Sequence, residues 1–142
     1  MSFWALNGLA VTGTEASALR SALQRRARLV VAFEPDPVNI ACFQRTFQNE
    51  IAEARVILVQ AAVWETSGSL ELRSQDGSSA TGSVVVAGPG ASSIRVAATT
   101  LDETFQRLAL DRVDFIKMDI EGAERHAVRG GRDILNRFAP RM

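Results

Sequence analysis

The sequence predicts one α/β domain built on a mostly parallel sheet with flanking helices. Three observations predict it. Short apolar runs at 29–33, 56–59 and 113–118 read as strands buried on both faces, as parallel strands are. Amphipathic segments with helix-start signals alternate with these runs, which is the rhythm of a parallel sheet. The length, 142 residues, suits one domain and is too short for two ordinary ones.

Each element has its own justification. Residues 2–6 form a candidate first strand. Residues 14–28 read as a helix, because Thr14 can cap it and Ala18, Leu19, Ala22 and Leu23 recur at helical spacing. Arg20, Arg25, Arg26 and Arg28 fall on its solvated face. The strand 29–33 ends at Glu34. Asp36 then suits an N-cap and Pro37 a first helical position, since the N–H that proline lacks would be unpaired there anyway. That helix runs to about Asn49, with Ile40, Phe43 and Phe47 on one face and Cys42 in the core. The strand 56–59 follows. Segments 69–73 and 93–97 read as antiparallel strands. Between them, 74–92 is rich in Gly, Ser and Ala and reads as a flexible loop long enough for a lid. Residues 101–110 form a short helix with Thr100 or Asp102 at its cap. The strand 113–118, a turn at Asp119 and Ile120, and a helix over 121–138 complete the order. Residues 139–142 stand where the alternation would start another strand. The expected fold is therefore a partial, incomplete version of the pattern over 1–142, with exposed sheet edges open to self-association.

Composition narrows the function. There are 16 basic and 16 acidic residues, so the net charge is zero, and hydrophobic residues make up 46%. No basic field exists to hold nucleic acid or an anionic membrane surface. Lys117 is the only lysine; every other basic residue is arginine. No apolar run reaches the roughly 18 residues of a membrane span. The start of the chain has no Lys or Arg before its apolar stretch, which argues against a signal peptide and for the cytoplasm. Cys42 is the only cysteine and fits a reducing compartment. With His126 the only histidine, a structural zinc site is excluded, and no metal is expected.

In open α/β sheets, ligands bind at the carboxyl ends of parallel strands. Three such ends carry the candidates. Glu34 can accept hydrogen bonds from both hydroxyls of a ribose, with Pro35 and Pro37 fixing its turn; it can equally just end the strand. In the stretch Gln60-Ala61-Ala62 the small residues would let a flat ring approach the backbone, or mark a tight packing point. Lys117, Asp119, Glu121 and Glu124 crowd the third end. The helix dipole accounts for Glu121 and Glu124. It accounts less well for Asp119 and Lys117, where charge near an apolar strand is costly unless paired. His126 reads as a structural histidine.

These residues resemble one family. Val31-Ala32-Phe33-Glu34-Pro35-Asp36-Pro37 with Asn39, then Ala61-Ala62-Val63-Trp64-Glu65 with Gly68, are similar to motifs of the FkbM-type S-adenosylmethionine-dependent methyltransferases. The most specific match is Thr100-Leu101-Asp102 followed by Asp114 to Glu124, with Gly130 or Gly131 late in the last helix. The resemblance covers roughly 29–141. It implies a class I methyltransferase fold with a Rossmann-like, mostly parallel sheet, S-adenosylmethionine as cofactor, and a small-molecule hydroxyl on a sugar or natural product as acceptor. Glu34 and Pro35 would then hold the ribose side, and Gln60, Ala61 and Ala62 would lie near the adenine. Asp119 or Glu121 would take the acceptor's proton, with Lys117 shaping the acidic corner. The family's first strand ends in an acid and a Gly-rich turn under the methionine part. Here 6–13 holds Gly8 and Gly13 but no acid, which leaves Gly8 as the cofactor contact.

Two other readings stand beside this one. A catalytically inactive remnant would bind the cofactor or serve as an interaction module. A nicotinamide-dependent dehydrogenase would also use Glu34, but the sequence lacks G-x-G-x-x-G.

Overall fold

The computed structural model describes residues 2–6, 23, 27–74, 92–120 and 122–142. The strands are β1 (Ser2–Leu6), β2 (Val30–Phe33), β3 (Val56–Val59), β4 (Ala62–Val63), β5 (Gly68–Ser74), β6 (Ser92–Thr99) and β7 (Phe115–Asp119). The helices are α1 (Pro37–Thr46), α2 (Gln48–Ala52), α3 (Leu101–Arg107), α4 (Glu124–Arg129) and α5 (Arg132–Phe138). Most of the expected helix at 14–28, and the interior of the 74–92 loop, lie outside the described residues. Leu23 is helical and buried, and Ala27 lies beyond the helix.

Two sheets form. The main sheet has the order β3-β2-β1-β7 and the second the order β4-β6-β5. Val30, Val31, Ala32 and Phe33 are all buried, as an apolar run with no alternation requires. β2 pairs parallel with β3, but β1 is antiparallel to both β2 and β7. This corrects the expected mostly parallel pairing. β2, β3 and β7 do share one direction, and β1 alone runs against them. Apolar patterning reports burial and not strand direction, so the sequence could not reveal the reversal.

The second sheet was only half expected. β5 and β6 pair antiparallel along their length, Gly68 with Ala98 through Ser74 with Ser92. β4, too short to show a period, joins β6 in parallel.

Two expected helices are each split. The one after Asp36 breaks at Phe47, whose φ of −115° and ψ of 27° leave the helical region. Its ring turns into the core against Phe43, 4.8 Å between centroids. Cys42 is exposed, which corrects its expected place in the core. It sits about 100° around the helix from Phe43, off the packed stripe. The helix expected over 121–138 breaks at Gly130 and Gly131. A Cβ on Gly130 would overlap the Trp64 carbonyl, and one on Gly131 would come within 2.7 Å of Leu101 Cδ1. The glycines let the chain pass that close.

Residues 139–142 carry the start of one more pairing. Arg141 bridges Phe115 in parallel, with Ile116 N–H donating to Arg141 O at 2.8 Å and Arg141 N–H to Asp114 O at 3.1 Å.

Candidate functional site

The carboxyl ends of β2, β3 and β7 share one edge of the main sheet, because these strands run the same way. Phe33 pairs with Phe3, and Ser2 pairs with Asp119. Glu34, one residue past Phe33, therefore stands level with Asp119 across β1. Two strand spacings put their backbones about 10 Å apart.

Glu34 is 3% exposed, and its Oε1 accepts the Asp36 N–H at 2.9 Å. A buried carboxylate needs such donors. Pro35, next in the chain, is buried too. Asp36 caps α1 as expected, with Oδ1 accepting Val38 N–H at 2.8 Å and Asn39 N–H at 3.1 Å. The turn is thus fixed from both sides. The carbonyl of Val59 accepts Glu34 N–H at 3.0 Å and Ala61 N–H at 2.9 Å. One oxygen therefore joins the ends of β2 and β3.

Beyond it the expected adenine side divides. Gln60 is exposed, whereas Ala61 and Ala62 are buried. Gln60 and Ala61 line a cavity of about 380 Å³, which Thr99, Glu103 and Arg107 also face. Ala62 does not line it and is instead committed to β4.

At the third end, Asp119 is exposed, so the cost of burying charge does not bear on it. Lys117 is half-buried on the same strand face. Glu124 holds the turn between them and α4. Its Oε1 accepts Ile120 N–H at 3.2 Å, and its Oε2 accepts Gly122 N–H at 3.0 Å. Gly122 has φ +94°, a conformation that suits glycine. Glu121 and Gly8 lie outside the described residues. Leu6, which precedes Gly8's segment, pairs with Val30 and Phe115 at the opposite edge of the sheet.

A side-chain cluster that the sequence reading did not assemble adjoins these turns. The Trp64 and His126 rings stack at 3.8 Å and 13°. Glu65 Oε2 accepts from Arg129 at 3.1 Å, and His126 Nδ1 lies 3.3 Å from Oε1 without hydrogen-bond alignment. The Arg129 bond is the main reason the Glu65 carboxyl titrates below its ordinary 4.5; loss of water opposes that, and His126 adds to it. The available signal was the three-residue spacing of His126 and Arg129, which shares a helix face. Thr100 caps α3, while the Asp102 carboxylate accepts Asp133 N–H at 3.2 Å and Ile134 N–H at 3.0 Å and so caps α5.

The methyltransferase FkbM domain model matches residues 8–142, nearly the whole chain and further toward the start than the motifs alone reach. The chain belongs to the FkbM methyltransferase family. No curated protein and no solved structure matches it. Among the described residues, no group of three His, Cys, Asp or Glu could hold a metal ion. No helix among them is long and apolar enough to cross a membrane.

Proposed function

We propose that this FkbM methyltransferase transfers a methyl group from S-adenosylmethionine to a hydroxyl of a small sugar or natural-product-like molecule. The observation that carries the reading is the buried Glu34 at the end of β2, joined through one carbonyl to the turn that bears Gln60 and Ala61. Buried acid and neighbouring cavity fit a ribose and its base: the carboxylate accepts hydroxyl protons, and the cavity at Gln60 admits a flat ring. When bound, the cofactor supplies an electrophilic methyl carbon on a sulfonium. The chain's own part is to align an acceptor oxygen with that carbon and to take its proton. Asp119 takes that proton in this reading, which its exposure on the same sheet edge as Glu34 supports. Lys117, two residues back on the same strand face, offsets the negative charge there.

Titration calorimetry with S-adenosylhomocysteine tests the cofactor half. Micromolar binding by the wild type should weaken at least tenfold in Glu34→Ala, about 1.4 kcal/mol. Glu34→Gln, which can still accept the Asp36 N–H, serves as the folding control. No binding by a folded wild type overturns the reading. Asp119→Asn should leave that affinity unchanged and slow methyl transfer by about 10²–10⁴-fold, the usual contribution of a general base.

One observation favours a second reading, a binding module without turnover. β1 runs against its neighbours, so its carboxyl end at Leu6 lies at the sheet edge away from Glu34. S-adenosylhomocysteine binding with no methylation of any hydroxylated acceptor would select it.

A further inference from the structure

We propose that Glu65 is a positioning residue that holds the acidic turn after β7 in place relative to the turn after β3. The inference rests on the reading that these two turns form the two halves of one site. Glu65 follows Ala61, Ala62 and Val63 by a few residues and Trp64 directly. Its two oxygens face His126 and Arg129, which are one helical turn apart on α4. α4 in turn carries Glu124, whose carboxylate fixes the backbone N–H groups of Ile120 and Gly122. The path from one turn to the other is therefore Glu65, α4, Glu124. Two further contacts keep α4 from sliding along it. The Trp64 ring covers His126, and Gly130 at the end of α4 abuts the Trp64 carbonyl. Gly130 O also accepts Asp102 N–H at 3.0 Å, which ties the same point to α3.

Glu65 is itself exposed enough that its loss leaves no cavity, with a side-chain exposure of 32%. Its removal should therefore free α4 locally while the core of β2 and β3 holds. Amide hydrogen exchange separates these effects in the full chain. In Glu65→Ala, the Ile120 and Gly122 amides should exchange at least tenfold faster, with Val31 and Ile57 unchanged. Glu65→Gln, which can still accept from Arg129, should fall between. Methyl transfer should slow in the same order, with S-adenosylhomocysteine affinity unchanged, since the loosened turn bears the proton acceptor and not the cofactor side. Unchanged exchange at Ile120 and Gly122 overturns the proposal. So does acceleration at Val31 and Ile57 to the same extent, which would make Glu65 a general stabiliser. If the wild type binds no S-adenosylhomocysteine, the methyl-transfer reading fails, yet the exchange result still decides the role of Glu65.

Discussion

Single residues in this chain answer to their hydrogen-bond partners more than to their type. Asp36 does what its type suggests and caps α1. Asp102, an acid in an equally plausible capping position, reaches instead to the start of α5. Replacing Asp102 with Ala should cost about 1 kcal/mol, the usual loss for a helix cap, and chemical denaturation would measure it. Ala54 is a different case. It closes α2 with φ +54°, in the left-handed region that penalises a Cβ. Ala54→Gly should raise stability by up to about 1 kcal/mol. Glu65 supplies the pH dependence at this scale. Its folded carboxyl titrates below 4.5 because Arg129 donates to it. The folded state then binds that proton less readily than the unfolded one. Its contribution is present in full above the ordinary value and is lost as pH falls through the lowered one. The melting temperature of wild type minus that of Glu65→Gln should hold steady down to about pH 5 and shrink as the pH falls further.

At the scale of elements, the strands were legible where burial is unambiguous. The run at 29–33 is apolar without a break, and β2 fills it from Val30 with every residue buried. Helix ends were less legible, because the residues that break these helices do so through partners far along the chain. Nothing near Gly130 announces that Trp64, in another element, will press against it. Gly130→Ala makes that contact measurable. The added methyl must displace Trp64 backbone, so the variant should lose about 1–3 kcal/mol, in the range of overpacked cores. An exposed helix glycine would gain stability from the same change. β4 was legible only as a stretch of small residues, since two residues show no period. The candidate site was readable at Glu34 and Asp119, which close their strands, and unreadable at Glu65, whose partners lie in a later helix.

For the whole molecule, the two sheets meet at the short passage from Val59 to Ala62. The core residues run through both, from Val31 and Ile116 in the main sheet to Leu72 and Val96 in the second. A shared core predicts one cooperative transition. In a Trp4→Phe background, Trp64 emission reports the junction and far-ultraviolet dichroism reports both sheets. The two denaturation curves should superimpose. Separate midpoints would mean that the sheets are independent units. Strand direction, the property that organises the molecule at this scale, left no trace in the sequence, because an apolar run reads the same in either sense.

The Val59 carbonyl, which accepts from both Glu34 and Ala61, has a spectroscopic consequence. Each accepted proton lengthens a C=O bond and lowers its stretching frequency. An isotope-edited Val59 carbonyl should therefore absorb to the red of a singly bonded strand carbonyl. A molecule seated at Glu34 or at Gln60 that displaces either of those two N–H groups changes the pull on that carbonyl. The band would then move, giving an infrared readout of occupancy that needs neither a labelled ligand nor turnover.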